Sequence, residues 1–212
     1  SRGVPFGSRV AIVYLEGPIM SGSDGSIFGG GQASSERVIS DLRQASEARE
    51  VKAIVLRVNS PGGSAAASQE IYQAVRRARQ TGKPVVVSMG DMAASGGYYV
   101  SSAADQIFAD SGTLTGSIGV IIQTTDMSEL FRKIGLRPVT VKSGKHKDMF
   151  SPNRALTDEE KALAGAMIRD IYLQFVDDVL AGRRDKGLTR EKLLPLADGR
   201  VFTGRQALKA HL

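Results

Sequence analysis

Two short stretches carry residues that could do chemistry. "NSPGGS" spans residues 59–64, and "MAASGG" spans residues 92–97. In the first, Pro61 forces a turn, and Gly62 and Gly63 leave backbone N–H groups uncovered by side chains next to a helix start. Such a loop suits a developing oxyanion or a phosphate. In the second, Ser95 stands between two alanines and two glycines, where an apolar run gives way to a helix. A nucleophilic serine sits at such a strand-to-helix elbow, and small neighbours let a substrate backbone come close. The match to G-x-S-x-G is incomplete, because Ala93 occupies the place of the first glycine. Tight helix–strand packing with Ser95 as a simple cap is the bland alternative.

A serine nucleophile needs a base. The chain has two histidines, His146 and His211, and His211 is next to the carboxyl end. His146 lies in "SGKHKDMFSP" (143–152), beside Lys145, Lys147 and Asp148. Two arrangements remain open from the residues alone. One is a Ser–His–Asp triad through His146; the other is a serine–lysine pair, an accepted variant. A lysine base must be neutral, so its reference value of roughly 10.4 must fall by burial or desolvation.

The elements that must position these groups follow from periodicity. Strands are expected over 9–15, 53–58, 84–89, 106–109 and 137–141, with helices from Ser34 or Ser35 to Ala48, from Ala65 to Gln80 and over 126–134. The Gly- and Ser-rich stretch 16–34 reads as a mobile surface loop. A long helix from Thr157 to Leu180 carries a capping box formed by Thr157 and Glu160. A short helix over 189–194 and a final turn, strand and helix close the chain. Strand, glycine loop, helix occurs twice in succession, which points to parallel βα units with both loops at one sheet edge. No linker interrupts the 212 residues, and one domain over 1–212 is expected.

Composition narrows the function. With no cysteine, disulfides, zinc thiolates and cysteine nucleophiles are excluded. The net charge of +6 is spread thinly, and with only 6% aromatic residues nucleic acid is not the expected partner. No cofactor or metal is called for, and no apolar stretch is long enough to span a membrane.

"LRVNSPGGSAAASQEIY", "GKPVVVSMGDMAASGGYYVSSAADQIFADSGTLTGSIGVI", "VKSGKHKDMFSP" and "DGRVFTGRQAL" together resemble bacterial signal peptide peptidase A, also called protease IV, from about residue 10 to the end. The resemblance is to the short, single-domain form. It implies an α/β fold of the Clp/crotonase type, a spiral of ββα units with a mostly parallel sheet and a long C-terminal helical segment. It implies Ser95 as nucleophile, Lys147 as general base and Ser117 of "LTGSIG" as the hydroxyl that holds the lysine. Gly62 and Gly63 match the oxyanion loop, with Gly96 offering the N–H after the nucleophile. It further implies signal peptides and other extended peptides as substrates, and a ring- or dome-shaped homo-oligomer in which serine and lysine meet across a subunit boundary. Members carry an N-terminal membrane anchor, and this chain reads as a soluble catalytic fragment of such a protein, working on the extracytoplasmic side of the cell membrane. Three rivals are weighed against this. A Clp-like Ser–His–Asp peptidase would want a histidine where Gly119 stands. A crotonase-type acyl-CoA enzyme would leave Ser95 unused. A ring-forming membrane scaffold would need none of Ser95, Ser117 and Lys147.

Overall fold

The computed structural model describes residues 7–22 and 33–212. Most of the expected 16–34 loop, residues 23–32, lies outside the described residues. The chain forms two compact units, one containing the residues up to Gly119 together with Gln174–Leu212, the other Val120–Leu173.

The first unit begins with β1 (Arg9–Glu16) and the short strands β2 (Ile19–Met20) and β3 (Ala33–Ser34). There follow α1 (Ser35–Glu47), β4 (Val51–Ser60), α2 (Ala65–Gln80), β5 (Val85–Ala94), α3 (Gly96–Ser102), β6 (Gln106–Phe108) and β7 (Leu114–Gly116). The main sheet runs β1, β4, β5, β7, with β6 also pairing β5, and all these pairings are parallel. Alternating Val, Ile and Leu put Val13, Leu15, Ile54, Leu56, Val58, Val85 and Val87 on one buried face. Helices α1 and α2 close over it with Val38, Leu42, Ile71, Tyr72 and Val75, the stripe that helical periodicity dictates. Each such side chain contributes about 1.5–3 kcal/mol of transfer free energy.

The helix starts follow local chemistry. Ser34 caps α1 and Ser64 caps α2, each accepting a bond from the backbone N–H three residues on. β5 departs from expectation. It was expected to end at Met89 but runs on to Ala94. Val58 pairs Met89 while Ser60 pairs Ala93, so β5 holds two extra residues against β4. Asn59 fills the irregularity, accepting the Met92 N–H at 3.1 Å. The strand then resumes against β7, which sequence periodicity did not foresee.

In the second unit α4 (Ser128–Lys133) matches the expected helix; α5 (Asp158–Arg183) begins there at the expected capping box and from Gln174 on belongs to the first unit. Glu160 N–H donates to Thr157 Oγ1 at 3.2 Å and Thr157 N–H to Glu160 Oε2 at 3.0 Å. The expected strand over 137–141 does not form. Val139 is 86% exposed and Val141 96%, so among the described residues this β-prone run pairs with no strand and its valines are not buried. The chain ends in the first unit with α6 (Arg190–Leu193), β8 (Val201–Thr203) and α7 (Gly204–Lys209). β8 adds antiparallel to β7, making the sheet mixed at that edge. The strand-and-helix order and mostly parallel sheet are those of the α/β class expected.

Candidate active site

Ser95 is the single residue between β5 and α3. Its backbone has φ 52° and ψ −119°, a conformation that glycine adopts freely and that costs an L-residue about 1–3 kcal/mol. Hydrogen bonds on both sides impose it. Ser95 N–H donates to Gly116 O at 2.8 Å, and Ser95 O accepts from Tyr99 N–H at 2.8 Å. The side chain is half-buried, and its Oγ has no hydrogen-bond partner among the described residues. The strand-to-helix elbow is therefore real, although Ala93 replaces the usual glycine.

The second loop lies against the first. A Cβ on Gly62 would stand 2.6 Å from Gly96 N and 2.8 Å from Ser95 Cβ, and Gly62 has φ 96°. Only glycine fits at that crossing. Its N–H is turned inward and donates to the buried Ser60 Oγ at 3.1 Å. The N–H groups of Gly63 and Gly96 donate to no described residue. Two open backbone donors thus lie on the two loops that meet beside Ser95. β2 holds the SPGG loop from its other side, with Ile19 N–H donating to Gly62 O and Ser64 N–H to Ile19 O, both at 2.8 Å.

Ser117 follows β7 as Ser95 follows β5. Ala94 pairs Gly116 at the end of the ladder, so both serines leave the sheet from the same rung. Ser117 also has φ 52° and is half-buried, and its N–H donates to Arg200 O at 2.8 Å. Its Oγ, too, has no partner among the described residues.

Helix α3 is anchored from below. Tyr99 stacks on Phe175 with ring centroids 4.5 Å apart and an interplanar angle of 24°. Its hydroxyl donates to the buried Asp178 carboxylate, which also accepts from Gln174 Nε2 at 3.0 Å. Tyr72 of α2 donates to the Asp178 backbone carbonyl at 2.8 Å. Burial, then the Asp178 charge, pushes the Tyr72 hydroxyl up to about 12. Both hydroxyls stay protonated and donating through the physiological range.

Lys147 stands in the second unit, in successive turns over 145–150. It is exposed, and its Nζ pairs with no described residue. Its neighbours are occupied. Lys142 bonds Asp148 at 2.5 Å, and Lys145 bonds Glu159. His146 lies 3.4 Å from Glu159 and 3.7 Å from Glu160. Arg154 bridges Asp148 and Glu160 with bonds of 2.6–3.0 Å. Arg154 first, then Lys142, holds the Asp148 carboxyl far below the usual carboxylate range. Arg154, followed by the Thr157 N–H, brings Glu160 down to about 2.

The model of peptidase family S49 matches residues 77–212, and that of Clp protease matches residues 26–125. A putative protease of Synechocystis is 39% identical over 96% of this chain and 68% of its own length. A putative signal peptide peptidase SppA of Enterococcus faecium is 35% identical over 95% of this chain and 58% of its own. Protease 4 of Haemophilus influenzae is 38% identical over 95% of this chain, which spans 32% of that protein. The chain belongs to peptidase family S49.

Within this S49 chain the fold brings together Ser95, Ser117, Gly62, Gly63 and Gly96, all in the first unit. Lys147 lies in the second unit, Val120–Leu173. His211 is exposed near the end of the chain. No cluster among the described residues could hold a metal ion. Sequence reasoning missed the groups that support these segments: Ser60 and Asn59 beneath the two loops, Asp178 under α3, and Arg154, which joins Asp148 to Glu160 in the segment of Lys147. Only the Thr157 and Glu160 capping box hinted at the last of these.

Proposed function

We propose that this chain is the peptidase domain of a Ser–Lys endopeptidase that cleaves signal peptides and other extended chains. The observation that carries the reading is the strained Ser95 elbow, its Oγ without a partner among the described residues, crossed at Gly62 by a loop that, like Gly96, holds a backbone N–H donating to no described residue. Lys147 Nζ removes the Ser95 proton as Oγ attacks the scissile carbonyl. The carbonyl oxygen gains negative charge and is stabilised by the Gly63 and Gly96 N–H groups, which cost no reorganisation because the loops already hold them. Gly62 contributes by having no side chain where the loops cross. The lysine ammonium returns its proton to the departing amine, leaving an acyl-enzyme on Ser95. Water, deprotonated by Lys147, then releases the second product. Ser117 Oγ orients the amine.

Lys147 rather than His146 as base is supported by the pairing in the loop. His146 faces two glutamates, whereas Lys147 faces none of its neighbours' charges. The substrate class is drawn from the relative named as a signal peptide peptidase. In the working enzyme the lysine reaches the serine of a neighbouring subunit, within a ring- or dome-shaped homo-oligomer held at the cell membrane by an N-terminal anchor, its active sites on the extracytoplasmic side. Among the described residues no helix is long and apolar enough to cross a membrane. Incubation with a synthetic signal peptide, with products read by mass spectrometry, tests the activity. Internal cuts that vanish in Ser95→Ala are expected; an intact peptide contradicts the reading.

A further inference from the structure

The loop around Lys147 sorts its charges. It carries three lysines within six residues, and of these Lys147 is the one whose amine has no partner among the described residues. The carboxylate nearest to it in sequence is Asp148. A carboxylate paired with an amine favours the ammonium form and removes it as a base. Asp148 does not pair with Lys147, because its oxygens are already taken. Oδ1 accepts from Lys142 Nζ at 2.5 Å and from Arg154 Nη2 at 2.7 Å, and Oδ2 accepts from Arg154 Nε at 3.0 Å. Arg154 is itself fixed by Glu160, through Nη1 to Oε2 at 2.7 Å and Nη2 to Oε1 at 2.6 Å. Glu160 is 2% exposed and anchored in the capping box of α5, so the fork cannot drift. The remaining acids of the loop and the first turn of α5 are also occupied. Glu159 faces Lys145 and His146, and Asp158 pairs Lys161.

We propose that Arg154, with Lys142, holds the Asp148 carboxylate away from Lys147 and so keeps that amine available as the base. Arg154 is thus a positioning residue that acts through Asp148. A planar, permanently charged fork suits the task, because it saturates Asp148 from two sides while bonding Glu160. The inference rests on Lys147 being the base.

The test is the pH profile of kcat/KM on an internally quenched apolar peptide. In Arg154→Gln, Asp148 loses its main partner and turns to Lys147. Activity near neutral pH falls at least about tenfold, and the acid limb moves to higher pH by about one unit or more, with recovery toward the wild-type rate at alkaline pH. Adding Asp148→Asn to Arg154→Gln returns the limb to its wild-type position, and Arg154→Lys lies between. Lys142→Gln, with and without Asp148→Asn, gives the same pattern more weakly and serves if Arg154→Gln does not fold. Equal loss at every pH, or a shift that Asp148→Asn leaves in place, overturns the inference. Lys147→Ala is measured alongside. If it keeps its activity the base has been misassigned, whereas a dead Lys147→Ala with an unmoved limb in Arg154→Gln defeats this inference alone.

Discussion

Ser95 and Ser117 leave the sheet from one rung, each directly after a residue of the Ala94–Gly116 pair, and each with φ 52°. The Ser95 N–H is bonded to Gly116 O, the carbonyl just before Ser117. Neighbouring strands lie about 4.8 Å apart, so the register brings the two serine backbones off the sheet side by side without any flexible segment between them. Ser117→Ala is expected to leave the fold unchanged and to lower kcat by about tenfold to a hundredfold, with little change in KM. Steady-state kinetics on a quenched peptide measure this; a wild-type rate at every pH removes Ser117 from the site.

Gly62 is the tightest point of the crossing. In Gly62→Ala the new methyl would have to displace Gly96 N or Ser95 Cβ, at a φ of 96° that alanine resists. A stability loss of about 2 kcal/mol or more is expected, with activity lost even where the variant remains folded. Thermal denaturation and peptide cleavage check both parts. Wild-type stability would mean that the two loops are not in contact.

The route from sequence to site was uneven, for physical reasons. α1, α2 and α5 were legible because their signals are local: Ser34 or Ser35 marks the start of α1, the NSPGGS turn precedes α2, and Thr157 caps α5. The far half of β5 was not, because Gly90 and Asp91 look like a turn. What makes it a strand is Asn59 on another strand, bonding to Met92 N–H. The run 137–141 erred in the opposite direction. Its Val and Thr have strand propensity, but propensity supplies no pairing partner. Among the candidate site residues, Ser95 and the SPGG loop stood out by composition, and Ser117 and Lys147 through the family resemblance. Arg154 and Asp178 did not, since an ordinary charged residue shows its role only through the groups that it meets in space.

The ion network of Lys142, Asp148, Arg154 and Glu160 sets a lower pH limit for the loop. Glu160 is lowered in the folded chain from 4.5 to about 2, and Asp148 is lowered further. A lowered carboxyl stabilises the fold fully above its unfolded value and loses that contribution as pH falls through its folded one. The turns over 145–150 and the first turn of α5 should therefore keep their amide protection as pH falls below 4.5, and lose it as pH passes about 2. Hydrogen exchange resolved by peptide measures this. Loss of protection already at the ordinary carboxylate value would show that the bridges do not hold the loop.

The proposed sharing of the site between subunits predicts complementation. Ser95→Ala and Lys147→Ala chains, each inactive alone, should regain part of the activity when assembled together, because some boundaries then join an intact serine to an intact lysine. Mixed assemblies that form but stay inactive would place the pair within one chain, and a fully active monomer in sedimentation would rule out the shared site.

Labelling with a fluorophosphonate probe, located by peptide mapping, tests the Ser–Lys assignment most directly. Ser95 should be labelled in the wild-type chain and in Lys145→Ala and His146→Ala, and labelled at least about a hundredfold more slowly in Lys147→Ala. Unchanged labelling in Lys147→Ala together with its loss in His146→Ala would contradict the Ser–Lys mechanism and leave the histidine as the base.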